Sequence, residues 1–228
     1  KAGKLYPFSE QASAVSDALR NELSRLGIET VTGFYAEEIK KNKWKFKIAS
    51  KDGRSISADR VIVAGGGCAS PALGSDGSAF EILKKLGHTV TNTSPALVQL
   101  KTDPKEVKSL QGIKFTGRVS LIHKDNIISE EYGEVLFTDY GISGPPVFQL
   151  SVKAAFKKNL KAALDFMPEY SPKEVYDILE GRKECLGHLT MENYFGGLLN
   201  KRIGNIIARK AGIEKLSFKV SSLNRQLL

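Results

Sequence analysis

The stretch VIVAGGGCASPALGSDG, from Val61 to Gly77, has glycines where a backbone could contact a ligand. Three of them, Gly65 to Gly67, follow an apolar run directly, and two more precede a segment with a helical pattern. A glycine-rich loop between a strand and a helix N-terminus lets backbone amides approach a phosphate. Glycine also occurs in such connections for steric reasons alone, so this pattern by itself leaves both a cofactor loop and a tight turn open.

A second unusual stretch is FTDYGISGPPVFQLS, which ends at Ser151. Its glycines and its Pro145–Pro146 pair predict a turn, and the apolar residues after them predict the start of an apolar element. Asp139 and Tyr140 are its candidates for direct chemistry. The surrounding turn residues favour a turn-stabilising role for them over a catalytic one.

Side chains suited to metal or nucleophilic chemistry are sparse. The three histidines, His88, His123 and His188, have no metal-ligand spacing, so no metal site is predicted. Cys68 and Cys185 lie far apart and form no CxxC pair, which argues against a disulfide framework and a cysteine zinc site. A reducing cytoplasm is therefore the expected location, and Cys68, although next to the glycines, is expected to be inert.

Helical and strand patterns precede the glycine stretch. A helix is predicted from Ser9, as N-cap, to the terminating Gly27, with a buried face of apolar residues at helical spacing. A short β-branched run at 28–34 predicts a strand. Alternating Trp44, Phe46 and Ile48 predict a half-exposed strand, which continues through a turn at Asp52–Gly53 into a third run.

The glycine stretch itself is expected to connect two elements. Its first four residues, 61–64, are all apolar, which is typical of a central parallel strand buried on both faces. A helix follows, with Ser75 or Asp76 as its cap and Gly87 as its end. The loop thus leads to a helix N-terminus, where amides and the helix dipole favour an anion.

From Ser94 the pattern changes to short strands separated by polar turns, which predicts a small antiparallel barrel or sandwich. Beyond it, Ser171–Pro172 and Glu174 have the spacing of a capping box at a helix start. A second helical segment carries an apolar stripe that core packing explains: Met191, Phe195, Leu198, Leu199, Ile203, Ile206 and Ile207. The basic residues beside the stripe are expected to be solvated.

Composition excludes several classes of protein. The chain has 228 residues, of which 41% are hydrophobic and 26% charged, as in ordinary globular proteins. No apolar run reaches the roughly 18 residues that span a bilayer, and no secretory signal precedes the first helix. The net charge of +9 suggests anionic partners, but the lysines are mixed with acids and no nucleic-acid module accompanies them, so neither nucleic acid nor membrane is expected as a partner.

Several segments together resemble the BaiN-like FAD/NAD(P)-dependent flavoproteins, a family that includes enzymes described as aminoacetone oxidases. The matching segments are GKLYPFSEQASAVSDAL, ADRVIVAGGGCASPALGSDGSAFEILKKLGHTV, SPALVQLKT, LQGIKF and GEVLFTDYGISGPPVFQLS. Their order and spacing match as well, strongly over about the first 150 residues and loosely beyond. The resemblance implies an FAD-dependent oxidoreductase with NAD(P)H as reductant and an unidentified small-molecule substrate.

The resemblance also implies which residues contact the cofactor. They have small side chains or lie in turns near the flavin cofactor, and they are Ala36, Ala64, Gly65, Gly66, Gly67, Pro71, Gly74, Asp76 and Gly77. Gly65 stands where the family usually has Thr, so a close backbone approach without a hydroxyl contact is expected there. In the insert, the candidates that face substrate or flavin are Asp139, Tyr140, Gly141, Ser143 and Gly144. Many members have His at position 139, which argues against acid–base chemistry by Asp139.

The implied architecture is α/β, or α+β overall: a partial Rossmann-like FAD domain over residues 1–93, then an antiparallel barrel-like insert domain with helices over 94–228. The barrel-like part is expected at about 94–168 and the helical part at about 171–212. Relative to the family, the N-terminal GxGxxG segment and a C-terminal flavin-closing segment are missing, so the chain is expected to be an internal fragment that binds FAD poorly or not at all. The alternative is a non-catalytic basic binding or interaction domain.

Overall fold

The computed structural model describes residues 5–224 and divides the chain into two compact units, one ending at Thr91 and the other beginning at Asn92. The first unit contains helix α1 (Ser13–Arg25), strands β1 (Ala36–Asn42), β2 (Lys45–Ser50) and β3 (Ser55–Ala58), and helix α2 (Ser78–Lys85).

The three strands of the first unit form an antiparallel sheet in the order β1-β2-β3. Ile39 faces Ile48 and Ile48 faces Ile56 across the sheet, so the apolar positions of all three strands share one face. The Asp52 carboxylate, which accepts from the Arg54 amide at 3.1 Å, stabilises the turn between β2 and β3. The predicted hairpin is therefore present. Trp44, predicted within its first strand, instead lies in the preceding turn and is 88% exposed.

Helix α1 differs from its prediction in two ways. It begins at Ser13, and the Ser9 hydroxyl accepts from the Gln11 amide at 3.4 Å instead of capping the helix. The predicted buried face is wrong, because Val15, Leu19 and Leu23 are all exposed. Amphipathic spacing shows which face a helix can bury but supplies no partner for it, and none of residues 5–224 covers this face.

Two predicted strands of the first unit are also wrong. Neither the run at 28–34 nor the run at 61–64 is extended in a sheet, and Ile62 is 92% exposed. A continuously apolar strand is stable only when neighbours hydrogen-bond to its edges and cover both faces. Among residues 5–224 no strand pairs with residues 61–64, so the expected parallel strand is not formed there.

The second unit contains a five-stranded, wholly antiparallel half-barrel in the order β4-β7-β6-β5-β8. Its strands are β4 (Leu100–Lys101), β5 (Lys114–His123), β6 (Asn126–Phe137), β7 (Gly141–Ser143) and β8 (Leu160–Asp165). Short helix α3 (Pro104–Val107) lies between β4 and β5, and helix α4 (Pro145–Ala154) follows β7. The predicted α+β class with a barrel-like insert is confirmed.

Alternate residues of the two longest strands form the centre of this unit's core. Val119 and Leu121 on β5, with Val135 and Phe137 on β6, are almost completely buried. Apolar side chains of α4 and of the C-terminal helices cover them. Because successive side chains of a strand point to opposite faces, one face of the β5–β6 hairpin lies in the core.

The C-terminal part is helical and has a second core. Helix α5 (Pro172–Leu186) begins at the predicted capping box, in which Ser171 and Glu174 hydrogen-bond reciprocally. The predicted second helical segment forms two helices, α6 (Met191–Tyr194) and α7 (Lys201–Lys210), separated by a turn that contains Gly196 and Gly197. The apolar stripe packs into the cores, as predicted.

Tyr194 fixes α5 against this turn. Its hydroxyl donates to the Leu179 carbonyl oxygen at 2.6 Å, and Arg182 donates to the carbonyl oxygens of Tyr194 and Gly196 at 2.6 and 2.8 Å. Burial raises the pKa of the Tyr194 phenol to about 12, since desolvation penalises the phenolate. The neutral phenol is therefore the form that the native structure stabilises.

Two helix glycines allow a matched test of the packing of α7. A Cβ at Gly204 would lie 2.5 Å from Cβ of Phe195, whereas one at Gly181 would have open space around it. We expect Gly204→Ala to lower the free energy of unfolding by about 1–3 kcal/mol, because it overpacks the core. Gly181→Ala is expected to raise it by up to about 1 kcal/mol through helix propensity. Denaturant unfolding followed by circular dichroism measures both, and a shift in the same direction would contradict the packing described.

Candidate functional site

The glycine loop, which we define as residues 64–77, is closed by its own hydrogen bonds. The Ser75 amide donates to the Ser70 carbonyl oxygen at 3.2 Å, and the Ser75 hydroxyl accepts from the Ser70 amide at 2.9 Å. The Gly77 amide donates to the Gly67 carbonyl oxygen at 3.0 Å. A 3₁₀ turn over Pro71–Leu73 forms the exposed tip. The loop therefore has a defined shape without a ligand.

Three glycines of this loop have left-handed backbone, and besides Gly74, with φ +94° and open space around it, two of them are also closely packed. Gly66 and Gly77 have φ values of +74° and +89°, which side chains rarely adopt. A Cβ on Gly66 would lie 3.2 Å from Cβ of Ser75, and one on Gly77 would lie 2.9 Å from Sγ of Cys68. Because the loop folds this closely on itself, a tight turn explains these two glycines without a cofactor.

The backbone amides from Gly65 to Ala69 are not used by the rest of the backbone. Within residues 5–224 they donate to no backbone carbonyl, and four of these five residues are exposed. Backbone N–H groups that the rest of the backbone does not use are available as donors to a ligand. The loop thus fits a cofactor that accepts hydrogen bonds from backbone, as FAD can.

The N-terminus of α2 is already occupied by a carboxylate. Asp76 accepts from the Ser78 amide at 3.0 Å, but the N-cap position of α2 is Gly77 and has no side-chain cap, so neither predicted cap, Ser75 or Asp76, is the N-cap. Hydrogen bonds from Ser78 lower the pKa of the Asp76 carboxyl, which is therefore ionised at neutral pH. A negative charge at this position disfavours a phosphate at the same helix end. The anion expected there is thus supplied by the chain itself.

The remaining candidate of the first unit, Ala36, is the first residue of β1 and is half-buried opposite Ser50. Strand β1 packs against α2, the helix that the glycine loop enters. Strand β1 and the glycine loop therefore adjoin the same helix.

The candidates of the second unit form the turn between β6 and β7. The Thr138 amide donates to the Gly141 carbonyl oxygen at 2.9 Å, and the Thr102 amide donates to the Tyr140 carbonyl oxygen at 3.0 Å. The side chains of Asp139 and Tyr140 are exposed. Backbone hydrogen bonds therefore stabilise this turn, and they give neither a catalytic nor a stabilising role to the two exposed side chains.

The glycines of this turn permit close approach of neighbouring strands. A Cβ on Gly141 would stand against the Leu100 carbonyl oxygen of β4, and one on Gly144 against the Glu134 carbonyl oxygen of β6. Ser143 is buried at the end of β7, where it pairs with Leu136. Strand pairing therefore accounts for all three residues.

No group of three or more potential metal-ligating side chains occurs within residues 5–224. In the same range, no helix has both the length and the apolar composition that a membrane span requires. Cys68 and Cys185 are exposed thiols.

The second unit also has a cavity of about 800 Å³ that the sequence patterns did not predict. Its lining includes lysines that directly follow apolar residues, as in Leu100–Lys101 and Leu160–Lys161. A lysine directly after an apolar strand residue was the sequence feature that could have indicated this cavity. Strand alternation alone, however, does not show that the two edge strands, β4 and β8, border the same cavity.

Two substitutions test whether strand pairing is the reason for the glycine at position 141. Gly141→Ala is expected to lower the free energy of unfolding by about 3 kcal/mol, because its methyl group would separate β4 from β7. Asp139→Ala, at an exposed side chain two residues away, is expected to change it by less than about 0.5 kcal/mol. Thermal and urea unfolding measure both. Equal stability of the two variants would show that Gly141 is not held by strand pairing.

The chain is similar to proteins of one known family. The family described as "HI0933-like protein barrel and H2TH domain" matches residues 94–228, which is the half-barrel with its helices. A protein named "3-dehydro-bile acid delta(4,6)-reductase" from Clostridium scindens is 35% identical over 207 residues, covering 89% of this chain and 50% of the relative.

More distant relatives carry a different name. Proteins named "Ribosomal RNA dihydrouridine synthase" from Escherichia coli and Haemophilus influenzae are 22% and 24% identical, covering 77% and 75% of this chain. Each is matched over 42% of its own length, so the chain spans about half the length of the curated relatives it matches. The family match covers more than half of the chain, and the chain belongs to the HI0933-like, BaiN-type flavoprotein family.

Proposed function

We propose that this chain is part of an FAD-dependent oxidoreductase that takes electrons from NAD(P)H and passes them to a small-molecule acceptor. The observation that carries the proposal is the run of amides from Gly65 to Ala69 that donate to no backbone carbonyl within residues 5–224, in a chain of this flavoprotein family. FAD, when bound, supplies two-electron chemistry between a nicotinamide and an acceptor.

The task of the glycine loop is to bind and orient the cofactor. Its amides would donate to uncharged acceptor atoms of FAD, and the absence of side chains at Gly65 to Gly67 leaves the backbone open to contact. The internal bonds of the loop hold these donors in place before binding, so little ordering entropy is lost. Ala36, Pro71 and Gly74 belong to the same proposed surface.

The carboxylate at the start of α2 limits which part of the cofactor this loop meets. Because the Asp76 carboxylate occupies that helix end, the FAD diphosphate would be held by another segment of a longer polypeptide. It follows that the chain by itself binds FAD weakly or not at all. The exposed thiols fit a reducing cytoplasm, which we propose as the location.

A small-molecule acceptor is favoured over nucleic acid by the comparisons. Identity is 35% with the relative named as a bile acid reductase and 22–24% with those named for ribosomal RNA. Some of the chain's lysines also have a carboxylate partner, as in Lys114–Glu134 at 3.0 Å and Lys201–Glu192 at 2.9 Å. The positive charge is therefore dispersed and partly neutralised at the surface.

Flavin content tests this proposal. The chain alone is expected to lack the yellow absorbance of oxidised flavin, whereas the full-length gene product is expected to hold FAD and to oxidise NADH or NADPH. In that product, Ala69→Pro removes one loop amide and should weaken FAD binding about tenfold. Ala69→Gly, which keeps the amide, is the matched control.

Two results would overturn the proposal. One is a full-length product that is colourless and does not bind added FAD. The other is equal FAD affinity for the Ala69→Pro and Ala69→Gly variants, with circular dichroism showing both folded, since the loop amides would then not contact the cofactor. A stoichiometric flavin on the chain alone would contradict only the inference about the diphosphate.

The alternative function, a non-catalytic basic binding domain, is supported by the net charge of +9 and by the names of the two distant relatives. Mobility-shift measurements of the chain with ribosomal RNA over a range of salt concentrations distinguish it. We expect no complex at physiological salt, because the cations are dispersed among acids. A sequence-specific complex whose affinity falls steeply with salt would favour the alternative.

A further inference from the structure

The half-barrel of the second unit is open between its two edge strands, β4 and β8. A cavity of about 800 Å³ lies at this opening. It is bounded by both edge strands, by the segment that follows α4 and by one face of α7. Ligand sites of soluble proteins have volumes of roughly 300–1,000 Å³ and mostly apolar walls, so this cavity has the size of a binding site.

The walls of the cavity are apolar and well ordered by the core. Leu121, Phe137 and Ile142 come from the sheet, and Ile203 and Ile207 come from α7. Four of these five belong to the buried core, and Ile207 packs against it. Because protein interiors are close-packed, an apolar ligand in this cavity would gain dispersion contacts with its walls.

The cavity is lined by more positive than negative charge. Lys101 of β4, Lys157 after α4, Lys161 of β8 and Lys210 of α7 contribute to its lining, against one lining carboxylate, Asp103. Asp103 caps α3 by accepting from the Lys105 amide at 3.0 Å, and Lys161 lies 3.6 Å from the exposed Asp125, outside the lining. Lysines from four different segments thus border one opening and outnumber the carboxylates, which favours a ligand with an anionic group.

A hydroxyl at the same place supports a polar ligand group. Thr102 lines the cavity, and its Oγ1 is buried without a hydrogen-bond partner among residues 5–224. A buried hydroxyl without a partner is costly, and a ligand oxygen at the lysines would supply one.

We propose that this cavity binds an apolar monocarboxylate of the fatty-acid class. The hydrocarbon chain occupies the apolar interior, and the carboxylate lies among the lysines near Thr102. This site is formed by the second unit alone and does not depend on the proposed flavin function. An amphipathic anion matches both the apolar walls and the positive charge of the lining lysines, whereas a neutral or cationic amphiphile matches only the walls.

Isothermal titration calorimetry of the whole chain with dodecanoate, below its micelle concentration, tests the proposal. We expect saturable binding, with weaker binding of dodecanol and weaker still of dodecyltrimethylammonium. Methyl resonances of Ile142 and Ile207 should shift on addition of dodecanoate. Absence of dodecanoate binding, or equal affinity for the three amphiphiles, would overturn the proposal.

Variants locate the site. Lys157→Gln is expected to weaken dodecanoate binding about threefold to fivefold, whereas Lys158→Gln, an exposed neighbour outside the cavity lining, should leave it unchanged. Ala154→Phe, which fills part of the cavity, should abolish binding while circular dichroism shows a folded protein. Equal effects of the two lysine variants, or full binding by a folded Ala154→Phe protein, would show that dodecanoate binds elsewhere.

Discussion

The antiparallel pairing of β5 with β6 is the interaction on which the second unit depends. The register runs from Lys114 opposite Leu136 to His123 opposite Asn126 and places Val119, Leu121, Val135 and Phe137 on the inner face. Strand β8 pairs along the outer edge of β5, and β7 pairs with the end of β6. A slip of one residue would turn the two buried side chains of one strand to the opposite face from those of the other, so this register also determines where α4 and α7 can pack.

Sequence patterns predicted features whose cause is local. The Ser171–Glu174 capping box, the turn at Asp52–Gly53 and the alternation in β5 and β6 each depend on neighbours along the chain or on one adjacent strand. The patterns failed where the outcome depends on a distant partner. The apolar run at 61–64 and the apolar face of α1 have the composition of buried elements, yet no described residue covers them. The split between α6 and α7 has a local cause, since Gly196 and Gly197 lower helix propensity enough to end the helix.

The two candidate clusters of residues differ in how far the fold explains them. In the β6–β7 turn, strand pairing accounts for Gly141 and Gly144 completely, so these glycines need no ligand. In the glycine loop, close self-packing accounts for Gly66 and Gly77 but not for the run of amides between Gly65 and Ala69 that donate to no backbone carbonyl within residues 5–224. The sequence could not separate these cases, because glycine looks the same whether it admits a neighbouring strand or a cofactor.

The two cores of the second unit share side chains. Leu199 and Ile207 pack against the half-barrel core and also against the core formed around Tyr194. Melting of α7 would therefore expose apolar surface in both cores at once, so the barrel-like and helical parts form one cooperative folding unit despite their different architectures. Amide hydrogens in the α5–α7 region and in β5 would then exchange with solvent through the same global opening, and neither part would persist as a stable intermediate without the other.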